Sequence, residues 1–144
     1  MTSSAPPSAI ADWFERSKDW PLVSERPLPS AHLGRAQHAR IRVNPEASEA
    51  YRTLVADTAF ADGTLLVEFL SDAKTGKNGP ILALERRAGT WTFWQLDAEG
   101  RLQEKGYLPF CAGCHASAPA APVFGLPRSD VPQESNAAAA RSRN

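Results

Sequence analysis

The sequence has little sulfur and no long apolar run. Among its 144 residues the only cysteines are Cys111 and Cys114, and the only methionine is Met1. Two cysteines this close together cannot form the disulfide framework of a small secreted domain. No apolar stretch approaches the roughly 20 residues that a membrane-spanning helix needs. We therefore expect the cysteines to serve a local purpose, and we expect no membrane span.

An excess of charge of either sign is also missing. The 16 Lys and Arg residues balance the 16 Asp and Glu residues, which argues against the strongly basic surface of a nucleic-acid-binding protein. The first residues, "MTSSAPPSAIADWFERSKDW", lack the basic segment and apolar stretch of a secretory signal. Either the protein is cytoplasmic, or it is exported and its signal has been removed.

The length of the chain fits one domain with its own core. Both ends have biased, weakly apolar compositions, "TSSAPPS" and "VPQESNAAAARSRN", which are typical of flexible segments. The sequence thus predicts flexible residues 1–8, a single folded domain over residues 9–128, and a flexible tail over residues 129–144.

Two short helices and a strand are predicted in the first half. Residues 9–18 form an amphipathic helix with Ile10, Trp13 and Phe14 on one side, and Ser8 is a candidate cap. In "AQHARIRV" apolar residues alternate with His38, Arg40 and Arg42, so one face of this strand is basic. "NPEASEAYRTLV" predicts a helix of about three turns, because Asn44 is a good N-cap and proline follows it.

Three strands follow in "DGTLLVEFL", "ILALERR" and "GTWTFWQLDAEG", separated by turn residues. No helical segment lies between them, so we expect an antiparallel meander rather than parallel crossovers. The predicted fold class is α+β. It is a mainly antiparallel sheet of four or more strands with a few short helices, and a helix or turn carrying the cysteines follows the last strand.

The segment "CAGCH" is the chemical motif of the chain. Cys111 and Cys114 lie one turn apart, so each thiol can add to one vinyl group of a porphyrin while His115 ligates the iron. Other interpretations remain open. A zinc site would need ligands from His115, His32, His38 or acidic residues. A thioredoxin-like thiol pair would normally have much of the fold after it, and an ordinary disulfide or two buried thiols would have no cofactor.

Segments along the whole chain resemble the cytochrome P-460 and cytochrome c′-beta family. The resemblance covers about residues 10–124, in "RIRVNPEASEAY", "FADGTLLVEFL", "GTWTFWQLDAEG" and "CAGCHASAPAAPVF". It implies a β-rich, periplasmic, homodimeric protein with one covalent haem c per chain. The P-460 enzymes, which oxidise hydroxylamine, carry a lysine cross-linked to the porphyrin, and Glu68 stands at that position here. The resemblance therefore favours the c′-beta branch, which binds nitric oxide or carbon monoxide in an apolar pocket. Lys74 and Lys77 are interpreted as solvated turn residues.

The sixth position of the iron is the next question. Met1 lies in a flexible end and is not a plausible ligand. His32 is interpreted as an exposed loop residue, and His38 shares the basic strand face, so we expect an open site and a five-coordinate, high-spin iron. Phe60, Trp91 and Phe93 are candidates to line the ligand pocket, although aromatic residues on alternating strand positions are often simply core.

Glu68 shares its predicted strand face with Leu66 and Leu70. A carboxylate in an apolar wall should have a raised pKa unless Arg40, Arg42 or another base pairs with it. It could then donate a proton to a bound ligand.

Three functions remain as hypotheses. The first is a haem protein that binds diatomic gases. The second is a P-460-type hydroxylamine oxidoreductase or a peroxidase that uses Glu68 for proton transfer. The third is an electron carrier with a histidine sixth ligand. The sequence does not identify a redox partner.

Overall fold

The computed structural model describes residues 9–23, 26–30, 32, 36–55, 57–116, 118 and 123. Both predicted flexible ends lie outside the described residues, and so does Ser8. The described part contains one six-stranded sheet in which every strand pairs with the next along the chain. All five pairings are antiparallel. The predicted meander and the mainly β, α+β class are confirmed.

The strands are β1 (Leu28–Ser30), β2 (Gln37–Val43), β3 (Leu65–Asp72), β4 (Asn78–Arg87), β5 (Thr90–Leu96) and β6 (Leu102–Gly106). The alternating apolar pattern predicted β2 to β5. It did not indicate the two edge strands, because β1 is three residues long with a proline at its centre, and β6 is largely polar. Proline fits an edge strand, where its missing N–H removes no ladder hydrogen bond.

The first predicted helix is shorter than expected. Helix α1 covers only Phe14–Ser17. Residues 9–11 instead run beside the turn after β5, where Ile10 forms a bridge with Arg101 and the Ala11 N–H donates to the Gly100 carbonyl. Ile10 is consequently 54% exposed, which corrects its predicted place on the apolar side of the helix. Phe14 is buried as predicted.

The second predicted helix also ends early. A 3-10 turn over Pro45–Ala47 leads into α2 (Ser48–Arg52). Asn44 makes no side-chain capping bond. Its Oδ1 accepts the Leu65 N–H at 2.8 Å, and its Nδ2 donates to the Gly63 carbonyl at 3.2 Å. The side chain predicted to cap a helix therefore ties that helix to the start of β3. The last helix, α3 (Pro109–His115), follows β6.

Each face of the sheet packs against one apolar cluster. On the face named here the α1 face, Leu65 and Val67 of β3 pack with α1, with the residue just before it, and with β4 and β5. The partners are Trp13, Phe14, Ile81, Ala83, Trp94 and Leu96. On the opposite face, named the α3 face, Leu66 packs with Val43, Ala47, Tyr51, Leu84, Phe93 and Val123. Leu108, Cys111 and Ala112 pack against this second cluster. The cysteine-bearing segment is thus attached to the sheet by apolar contacts.

Gly100 provides a test of the packing on the α1 face. It is buried, its φ is +89°, and a Cβ there would overlap the ring of Phe14. We expect Gly100→Ala to lower the free energy of unfolding by about 2–5 kcal/mol, because backbone strain adds to overpacking. Gly89→Ala is the matched control, since Gly89 has φ +77° with no atom near its Cβ position, and should cost only about 1–2 kcal/mol. Urea denaturation of both variants measures the difference, and equal losses would contradict the packing argument.

Candidate functional site

Helix α3 presents both thiols and the imidazole of the motif. Pro109 stands in its first turn, where a missing N–H breaks no helical hydrogen bond. Neither Cys111 nor Cys114 is part of a disulfide, and the first is half-buried and the second exposed. Burial, and to a lesser degree the negative charge of Glu104, raise the pKa of Cys111, so its thiol stays protonated at neutral pH. Where the sequence predicted a helix or turn, the structure has a helix, and its two thiols lie one turn apart.

His115 lies against the sheet at β5. Its ring contacts Phe93 edge to face, with 5.4 Å between ring centroids and 70° between planes. Phe93 is buried in the cluster of the α3 face. An edge-to-face contact of this kind restrains the orientation of an imidazole without using its nitrogens. Phe93, predicted as a pocket residue, therefore lies beside the predicted iron ligand.

The other predicted aromatics lie on the same face. Phe60 and Trp91 form a T-shaped pair with 5.7 Å between centroids, and both are half-buried against the cluster. Arg86 lies over the Trp91 ring at 5.6 Å. Phe60, Trp91, Phe93 and His115 thus occupy one side of the sheet. For Trp91 and Phe93, strand alternation predicted this shared face.

Glu68 also belongs to the α3 face, because Ile41 is its direct neighbour on β2 and Leu82 on β4. This register places Arg40 and Arg42 on the other face of β2. Neither arginine pairs with Glu68. Arg42 instead donates to the Trp20 carbonyl at 2.5 Å. The side chain of Glu68, 20% exposed, contacts a histidine that the sequence did not link to it.

That histidine is His32, two residues after β1. Its Nδ1 lies 3.1 Å from Glu68 Oε1 and 2.8 Å from the Ser30 hydroxyl. Its side chain is 39% exposed, in keeping with the predicted exposed loop residue. The two ring contacts, however, were not predicted from the sequence. The buried Gln37 donates from Nε2 to the His32 carbonyl at 2.7 Å. The position of His32 is therefore fixed through both its ring and its backbone.

The His32 and His115 rings lie close together. Their centroids are 6.5 Å apart and their planes differ by 18°. His38, by contrast, is exposed and opposes Pro29 and Ser71 on the neighbouring strands, which places it on the α1 face. Of the two histidines considered as sixth ligands, the structure brings only His32 to the cysteine-bearing helix.

The charge of Glu68 acts on two neighbours. The hydrogen bond between Glu68 and His32 raises the pKa of His32, and burial of the His32 ring opposes that rise. Burial, with a smaller effect from the negative charge of Glu68, raises the pKa of Tyr51 to about 12. Tyr51 thus remains a neutral phenol. The sequence did not single out Tyr51, because its place on an amphipathic helix indicates only burial.

Two further predictions concern the lysines of the turn after β3 and the zinc alternative. Lys74 and Lys77 are exposed and lie beyond the end of β3, as expected of turn residues. Within the described ranges no group of three or more His, Cys, Asp or Glu side chains is arranged to hold a metal ion.

The residues of this site fit a covalently bound haem. Such a group requires two thiols outside any disulfide and one turn apart, a histidine directly after the second, and apolar surroundings. Cys111, Cys114 and His115 meet the first two requirements on a single helix. The cluster of the α3 face meets the third.

Comparison with known proteins adds no family assignment: no family description matches the chain, and no curated protein is significantly similar to it.

No helix among the described residues is long and apolar enough to cross a membrane.

Proposed function

We propose that this chain is a monohaem c-type protein that takes up small ligands such as nitric oxide or carbon monoxide. In this proposal Cys111 and Cys114 would form the two thioether bonds that hold the haem, and His115 would ligate its iron. The observation that carries the proposal is the placement of two cysteines outside any disulfide and an adjacent imidazole on α3, with Phe93 against the imidazole. Periplasmic location and a homodimer belong to the proposal through the family resemblance alone.

The residues around the proposed haem restrain its histidine ligand, keep its surroundings apolar and hold protons. When bound, the haem would supply an iron centre that can take up a small ligand. Phe93 restrains the His115 ring, and Leu66, Leu84 and Phe93 keep this part of the α3 face apolar. Phe60 and Trp91 extend the same wall. Glu68 accepts a hydrogen bond from the Nδ1–H of His32, and the phenol of Tyr51 keeps its own proton.

An electron carrier is the second candidate, because His32 lies near His115. A histidine on each side of the iron is compatible with electron transfer. The enzymatic alternatives have less support. Glu68 cannot form the amine cross-link of the P-460 enzymes, and Lys74 and Lys77 are exposed turn residues beyond β3. A peroxidase would use the Glu68–His32 pair to move protons, and the contact between these two side chains is compatible with that use.

Ligand titration tests the proposed function. The protein is produced in a host that matures c-type cytochromes, reduced, and exposed to carbon monoxide and then to nitric oxide. We expect each gas to shift the Soret band to saturation, with no sustained turnover of hydroxylamine. A porphyrin-linked peptide containing Lys74 or Lys77, or steady hydroxylamine oxidation, would contradict the gas-binding assignment. Failure of both gases to bind the ferrous protein would favour the electron carrier.

A further inference from the structure

The relative placement of the two imidazoles at the site bears on the coordination of the iron. His32 and His115 have nearly parallel ring planes and centroids 6.5 Å apart. In general, a metal-bound imidazole nitrogen lies about 2 Å from its metal, so two imidazoles on opposite sides of one ion have centroids roughly 6 Å apart. The observed separation therefore matches that of a pair of axial ligands.

Among the described residues, the hydrogen bonds of the His32 ring leave the appropriate nitrogen for a metal. Both ring contacts use Nδ1, which lies near Glu68 Oε1 and the Ser30 hydroxyl. A carboxylate can only accept, so the contact with Glu68 places the proton on Nδ1 and the lone pair of the neutral ring on Nε2. Metal-ligating histidines characteristically donate their other ring N–H to a carboxylate or carbonyl, which fixes the tautomer and orients the ring. His32 has this arrangement.

The backbone of His32 is held as well. Gln37 donates to its carbonyl, and its own N–H donates to the Ser30 hydroxyl at 3.3 Å. Ser30 and Gln37 pair with each other at the end of the β1–β2 ladder. The imidazole is therefore positioned from the sheet, which reduces the conformational entropy that binding a metal would cost.

We propose that His32 is the second axial ligand of the iron, bound through Nε2 opposite His115, and that Glu68 is its positioning residue. This inference rests on the proposed haem function and refines it, because incoming gases must displace His32. It replaces the five-coordinate iron expected from the sequence with a six-coordinate, low-spin iron. In this arrangement the carboxylate of Glu68 orients the His32 ring through its hydrogen bond with Nδ1.

The experiment compares the purified wild-type protein with His32→Ala, using His38→Ala as the matched control. The ferric wild-type protein and His38→Ala should both show low-spin optical and electron paramagnetic resonance spectra. His32→Ala should be high-spin. Glu68→Gln, which keeps an acceptor oxygen, should stay mainly low-spin, whereas Glu68→Leu should shift toward high spin.

Carbon monoxide kinetics on the reduced proteins give an independent readout. In the wild type, association should level off at high carbon monoxide concentration, because release of His32 becomes limiting. In His32→Ala it should rise linearly with concentration. If His32 occupies the iron in nine of ten molecules, the apparent affinity of the variant should be about tenfold higher. The wild-type spectrum and kinetics provide a test even if His32→Ala does not accumulate.

The outcomes separate this inference from the proposed function. Covalent haem with a high-spin wild-type spectrum would overturn His32 ligation and leave the haem function intact. A low-spin spectrum that His32→Ala does not change would also overturn it, since another group would then be the ligand. Absence of covalent haem would overturn the proposed function, and His32 ligation with it.

Discussion

Replacing both Cys111 and Cys114 by serine should abolish covalent haem attachment. Serine keeps the size and polarity of each side chain, but its hydroxyl does not form the thioether that a thiol forms with a vinyl group. In a host that matures c-type cytochromes, we expect the wild-type polypeptide to carry haem through a denaturing gel and the double variant to carry none. Each single variant can form only one bond and should retain less haem than the wild type.

The control for this experiment lies in the same helix. Gly113→Ala keeps both thiols, and no atom lies within 4 Å of the added Cβ. Alanine also has a better helix propensity than glycine, so α3 should persist. Gly113→Ala should therefore retain full covalent haem. Unchanged attachment in the double serine variant, or equal loss in Gly113→Ala, would show that the thiols are not the attachment points.

Replacing His115 by alanine should separate attachment from ligation. The thioethers come from Cys111 and Cys114, so we expect covalent haem to survive at least in part. The native visible spectrum should be lost, because the variant lacks the axial imidazole that Phe93 restrains. Added free imidazole should restore part of the spectrum by entering the space left by the side chain.

His38→Ala is the matched control for His115→Ala. His38 is exposed and lies on the α1 face, so its loss removes an imidazole without touching the candidate site. Its spectrum should equal that of the wild type. A native spectrum in His115→Ala would exclude His115 as an iron ligand and would leave the role of its contact with Phe93 purely structural.

The central strands could be predicted because their patterns are local. In β3, β4 and β5, alternating or continuous apolar residues bounded by turn residues indicate strands without reference to the rest of the fold. The edge strand β6 lacks such a pattern, and its place is set by pairing with β5. Residues 9–11 have helical periodicity, yet pairing of Ile10 with Arg101 holds them extended. Tertiary pairing overrode a weak local preference there.

In the candidate site, too, some residues could be predicted from the local sequence and others could not. Cys111, Cys114 and His115 are adjacent in sequence, so their motif could be found directly, and strand alternation predicted that Trp91 and Phe93 share a face. His32 could not be linked to Glu68, because that contact joins residues 36 positions apart. It depends on the register of β1 with β2 and on Gln37, whose contact with the His32 carbonyl leaves no signal in the local sequence.

The most direct test of covalent haem attachment is the mass of the denatured wild-type polypeptide after extraction with acidified acetone. That treatment removes haem held only by coordination or packing, whereas thioether bonds survive it. From a host that matures c-type cytochromes, we predict a polypeptide heavier than its sequence by one haem, with the added mass on a peptide containing Cys111 and Cys114. A bare polypeptide from that host would contradict the account and would return the two thiols to a zinc or redox role.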